Sequence, residues 1–135
     1  MYENDYILRL IRQMTEVIAK LVLNKKIKNY DFCHEITDTA LKENFGLSKE
    51  LLLKLPVTSI KELIGGDTNS QALFFIARLL FHEGEIFDEE GFKAQSSAYY
   101  NKSLELLSVI DDDHDELSEY IEHLRTSVNS KYFGS

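Results

Sequence analysis

Residues 28–41, KNYDFCHEITDTAL, bring Cys33, His34, Glu35 and Asp38 within six positions, and Cys33 is the only cysteine of the chain. A thiol, an imidazole and two carboxylates are the parts of a nucleophile–base set or of a metal site. Nucleophilic catalysis needs the thiol and its base within hydrogen-bond reach, with a third group orienting the base. On a helix, consecutive residues point about 100° apart, so Cys33 and His34 do not share a face. His34 and Asp38, four apart, are neighbours; Cys33 has only Ile36 and Thr37 at those spacings. A buried cysteine without a base behaves as a small apolar residue. Cys33 is therefore expected to pack, beside a solvated helix face.

Other chemistry-bearing stretches fail on spacing. His82-Glu83 opens the zinc-protease motif, which needs a second histidine four after the first, and position 86 is Ile86. In DDDHDELSEYIE (residues 111–122), Asp111, Asp113, Asp115, Glu119 and Glu122 occupy positions one, three, five, nine and twelve of a calcium loop. The glycine required at its sixth position is Glu116. Capping of a following helix by Asp113 or Asp115 explains the same residues. His114 and His123, nine apart, do not meet on one helix. No catalytic, cofactor-binding or metal residue is assigned. Tyr99 and Tyr100 are adjacent and are not both expected to face fully inward. Whichever faces out, with Tyr120 or Tyr132 nearby, is the expected interface anchor.

The net charge of −8 is unevenly spread. Residues 1–28 carry six Lys/Arg against three Asp/Glu, residues 29–65 four against six, and residues 66–135 five against fourteen. The only basic knot, Lys25, Lys26 and Lys28, is too short for a nucleic-acid face. The N-terminus has no basic n-region followed by an uninterrupted apolar stretch, so no signal peptide is read. No apolar run reaches the ~18 residues of a spanning helix. One cysteine and no such segments point to the cytoplasm.

Apolar residues recur at helical spacing throughout. Ile7, Ile11, Met14, Ile18 and Leu21, widened by Leu10, Val17 and Val22, predict a broad-faced helix over 4–23. Phe32, Ile36, Ala40 and Leu41 predict an inward face for a helix over 31–44, stopped by Gly46. Two short helices should follow. Ser48 caps the first, which ends at Pro56. The second opens on the capping-box pair Ser59 and Glu62 and closes at Gly65-Gly66. The run ALFFIARLLF places a central helix over 69–90, ended by Gly91. Helices over 92–110 and from Leu117 onward complete an all-α chain, read as one domain over 1–135.

A shift of 63 lays Tyr30–Leu41 over Lys93–Leu104, with Cys33 on Ser96, Thr37 on Tyr100 and Ala40 on Ser103. The same shift sets Val17 on Leu80, Leu21 on Gly84 and Asn24 on Phe87. Small residues at the crossings and aromatics between them resemble the tetratricopeptide pattern, best in Leu80, Gly84, Phe87, Gly91, Ser96, Tyr100 and Ser103. Glu83 departs from it, standing where that family has leucine, and the copies lie 63 apart rather than about 34. The resemblance implies antiparallel helix pairs, with the two short helices of 47–64 inserted and the last helix as a C-terminal cap. Residues 2–22, YENDYILRLIRQMTEVIAKLV, and 45–55, FGLSKELLLKL, are also similar to a family of small uncharacterised helical proteins of Gram-positive bacteria.

These readings favour a non-enzymatic protein–protein interaction or scaffold module with an unknown protein partner, no cofactor, no nucleic acid and no membrane. Too few repeat units for a solenoid call for help from the inserted short helices, from the last helix as a cap, or from self-association, for which a homodimer through the first or last helix is the candidate. The alternative is a small-molecule or metal-responsive regulatory domain that uses residues 111–122.

Overall fold

The computed structural model describes residues 2–65, 70–110 and 115–133, the side chains of 2–4, 7, 115–118 and 132–133 excepted. Seven helices fill these stretches: α1 (Tyr2–Lys26), α2 (Tyr30–Phe45), α3 (Lys49–Lys54), α4 (Val57–Ile64), α5 (Ser70–Glu89), α6 (Lys93–Ser108) and α7 (Asp115–Phe133). No strand occurs among the described residues.

Apolar residues on nearly every face of α5 set the architecture, since such a helix is stable only when surrounded. It touches α1, α2, α4, α6 and α7. Leu73, Phe75, Ile76, Leu79, Leu80 and Ile86 are all fully buried. Its closest neighbour is α6. Ser103 Oγ donates to the Ala77 carbonyl at 2.7 Å. Further along, the Tyr100 ring lies against Gly84, and Phe87 stacks on Tyr99 at 5.5 Å between centroids. Cys33, Ser96 and Ser103 are buried where helices meet, as small residues there should be.

The ends of the helices follow the local sequence. The Leu51 N–H donates to Ser48 Oγ at 3.1 Å, opening α3. Gly46 takes φ +67°, and its N–H donates to the Lys42 carbonyl, closing α2. Lys102 Nζ reaches back to the Leu55 carbonyl at 2.7 Å, tying α6 to the α3–α4 junction.

The 63-residue shift reappears in the backbone. Lys28 (φ +61°) and Gly91 (φ +88°) are equivalent, and both turn the chain between paired helices. The Asn29 N–H donates to the Asn24 carbonyl, and the Phe92 N–H to Phe87, each at 2.8 Å. Lys28 N–H to Lys25 matches Gly91 N–H to Asp88, and Cys33 N–H to Asn29 matches Ser96 N–H to Phe92. A left-handed conformation costs a side-chain-bearing residue roughly 1–2 kcal/mol, which glycine escapes. Lys28→Gly is thus expected to raise stability by about 1 kcal/mol, offset in part by glycine's greater freedom when unfolded. A urea midpoint that stays put or falls would show that the turn carries no such strain.

Several expectations need correction. Ile11 and Val22 are exposed, because the inward line of α1 runs through Leu10, Met14, Val17, Ile18 and Leu21. Phe32, about 100° round α2 from buried Cys33, is exposed too. Ser59 does not cap α4, which starts earlier, at Val57 after Pro56. Tyr99 and Tyr100 are both buried, since α6 is covered by α5 on one side and by α3, α4 and α7 on others. Gly66 lies outside the described residues.

Candidate functional site

An ionic cluster at the α2–α3–α5 junction brings together His34, Asp38, Lys49, Glu83 and Glu90. Its centre is Glu83, fully buried (0% exposed) in the apolar helix α5. His34 of α2 donates from Nδ1 to Glu83 at 2.9 Å and from Nε2 to Glu90 at 2.6 Å. Ionised carboxylates only accept, so it is the protonated imidazolium of His34 that can make both contacts at once, and the pair of acids favours that form. Lys49, the first residue of α3, pairs with Glu83 and, at 3.0 Å, with Asp38. The Phe87 ring lies 4.5 Å from the imidazole. Three helices are thereby pinned by one carboxylate.

His34 therefore does not belong to a solvated face. It turns towards α5, while Asp38 turns to Lys49. Glu35 stays exposed. Cys33 is fully buried, with Sγ 3.9 Å from the Leu21 carbonyl. Burial, then the nearby Glu83 charge, pushes its thiol pKa up, the opposite of what activates a nucleophile. The signal for the cluster was present in the sequence. A glutamate inside ALFFIARLLFHEGE cannot stay buried without a cation, and Lys49 and His34 are the cations that meet it.

A second network lies along α5. His82 Nδ1 sits 3.0 Å from Glu85, which also takes Lys25 at 2.9 Å. Position 86, which a zinc motif would need as histidine, is buried Ile86. Among the described residues no group of three or more His, Cys, Asp and Glu is placed to hold a metal ion. The side chains of Asp111, Asp113, His114 and Asp115 lie outside the described residues.

The two histidines shift in opposite directions. The hydrogen bond donated to Glu83 holds the His34 pKa above 6.5, outweighing burial, with Glu90 adding and Lys49 opposing. Burial holds that of His82 below 6.5, against Glu85, with Lys25 and Arg78 acting alongside burial. His34 then contributes stability that is complete below pH 6.5 and lost as pH rises through its folded pKa. His82, neutral when folded, contributes stability that is complete above pH 6.5 and lost as pH falls through its folded pKa. Stability should peak near pH 6.5. Chemical denaturation across pH 5–9 is the check: His34→Gln should flatten the alkaline arm and His82→Gln the acid arm. A wild-type curve rising monotonically from pH 6.5 to 9 would contradict the assignment of His34.

Surfaces remain. Of the tyrosines expected as interface anchors, Tyr99 and Tyr100 are core residues, Tyr120 is exposed (62%), its ring 6.4 Å from Phe74, and the side chain of Tyr132 lies outside the described residues. A larger apolar surface lies on α1, where Leu8, Ile11, Val22 and Leu23 are 42–61% exposed, and continues to Ile27 just past its end. On the far side of α1 from Leu8 and Ile11, α1 and α2 flank an open groove of about 350 Å³. No helix among the described residues is long and apolar enough to cross a membrane.

These features define an all-α protein in which buried Glu83 is paired with His34 and Lys49. Over residues 1–127 the chain matches a family described as "Family of unknown function (DUF6483)", and it belongs to that family. No curated protein and no solved structure matches it.

Proposed function

We infer that the protein is a non-enzymatic protein–protein interaction module that first engages a second copy of itself. The carrying observation is the outer face of α1. Leu8, Ile11, Thr15, Ala19 and Val22 are all exposed and follow one another at spacings of three, four, four and three. That is the spacing of a helix-packing seam. The Thr15 hydroxyl is satisfied within the helix by the Ile11 carbonyl at 2.9 Å, leaving its methyl to pack. Small Thr15 and Ala19 at the middle allow two helices to approach closely. A second α1 offers the same seam, with its large residues at the two ends. Contiguous exposed apolar surface of this kind marks interaction sites.

The scaffold reading is tetratricopeptide-like. Ala77 meets Ser103 while Gly84 meets Tyr100, an order that supports an antiparallel pair for α5 and α6. The 63-residue recurrence supports α1–α2 as its counterpart within one domain. In this reading α7, packed on α5 and α6, is the C-terminal cap. A single buried cysteine suits a reducing compartment, the basis for expecting the cytoplasm.

Sedimentation velocity over a wide concentration range tests the self-association. The wild type should show a reversible dimer, and Ile11→Lys with Val22→Lys, both at exposed positions, should sediment as a folded monomer. A wild type that stays monomeric, or a double variant that dimerises as well, would overturn the α1 seam.

A further inference from the structure

We propose that the groove between α1 and α2 docks a basic amphipathic helix of a partner protein. The groove is separate from the dimer seam. Val17, Ile36 and Ala40 form its floor, and Phe32 stands half-exposed at one end. Along α2 it runs from Phe32 to Asn44, about 18 Å at the helical rise. Phe32, Glu35, Thr39 and Glu43 make one exposed line along that length, spaced three, four and four.

Charge selects the occupant. Glu16 of α1 and Glu35 and Glu43 of α2 line the groove against one cation, Lys20. These carboxylates contrast with buried Glu83 and half-buried Glu85 and Glu90, each of which meets a cationic or imidazole partner. An exposed aromatic end, an apolar floor and acidic walls fit a helix with apolar anchors at i, i+3, i+4 and i+7 and Lys or Arg on both flanks, the helix-in-groove mode of recognition. The walls would repel an acidic helix, which sets specificity as well as encounter rate.

A fluorescent synthetic amphipathic peptide of Leu, Ala and Lys is the probe, with a Glu-for-Lys version as its counterpart. Binding to the full chain is read by anisotropy and mapped by amide NMR shifts. The Lys peptide is expected to saturate, to move residues 13–20 and 32–44, and to lose about tenfold in affinity on Glu35→Lys with Glu43→Lys. Glu62→Lys with Glu119→Lys, two exposed acidic residues away from the groove, should leave affinity unchanged. Equal loss in that control would reduce the effect to bulk charge and overturn the proposal. So would equal binding of the Glu peptide, shifts mapping elsewhere, or no binding at millimolar protein. Peptide that binds only by breaking the dimer would assign it to the α1 seam instead, also overturning the groove. Loss of the dimer in the sedimentation test leaves this proposal standing, and failure here leaves the dimer standing.

Discussion

Glu83→Ala is expected to destabilise the protein by about 3 kcal/mol, the lower end of the range for breaking a buried ion pair. The carboxylate is fully buried and meets His34 at 2.9 Å as well as Lys49. Its removal leaves two cations facing each other in the core. The loss stays at the lower end because Lys49 keeps Asp38 at 3.0 Å and His34 keeps Glu90 at 2.6 Å. The cluster as a whole is another matter. Desolvating several charges offsets most of what their attraction contributes, so exchanging a complete buried set for apolar residues is often neutral or stabilising. Glu83→Leu with Lys49→Met and His34→Phe should therefore return to within about 1 kcal/mol of the wild type. Urea midpoints at constant slope read both arms. A single Glu83→Ala that costs under about 1 kcal/mol would show that the junction does not depend on this carboxylate.

The second large effect concerns how α5 and α6 approach. A Cβ on Gly84 would lie 2.6 Å from two ring carbons of Tyr100, a buried ring that also packs against Phe81 of α5 at 5.9 Å between centroids. Alanine's better helix propensity, worth about 1 kcal/mol over glycine, does not compensate such a clash. Gly84→Ala should cost about 1–3 kcal/mol, and Gly84→Leu at least the top of that range. The first helix pair carries the opposite division of volume at equivalent positions: Leu21 in place of Gly84, and Thr37 in place of Tyr100. Tyr100→Thr alone should open a cavity costing about 3 kcal/mol or more. Combined with Gly84→Leu, the sum should fall short by about 2 kcal/mol, because each change fills or relieves what the other creates. Strict additivity in that cycle would mean that the two pairs are not volume-equivalent copies.

Sequence periodicity located every helix, because apolar stripes and the punctuation at Gly46, Pro56 and Gly91 are local signals. Packing of Cys33, Ser96 and Ser103 was legible for the same reason, small residues recurring at seven-residue spacing. The direction of His34 was not. A helical wheel gives the neighbours of a residue on its own helix, and His34 is held by Glu83 of α5 and by Glu90 just past its end, about fifty residues away. The departure of Glu83 from leucine was the visible trace of that cluster. The faces of α1 were half legible. Apolar residues cover enough of its circumference to predict two neighbours, and α2 and α5 are indeed there. Which apolar residues stay outside depends on where those neighbours sit, and the outward choice fell on Leu8, Ile11 and Val22. Adjacent Tyr99 and Tyr100 are both buried because α6 has cover on more than one side, which the pattern of α6 alone does not encode.

The central claim, that the outer face of α1 is an interaction surface joining two copies, is most directly tested by photocrosslinking in the cell. A photoreactive amino acid would replace Val22 on the seam or, as control, Ser97, which is exposed on α6. A covalent dimer from position 22 and none from position 97 is the predicted result. Equal yields from both, or no protein adduct from position 22, would contradict it; an adduct with a different protein would replace the second copy with that partner.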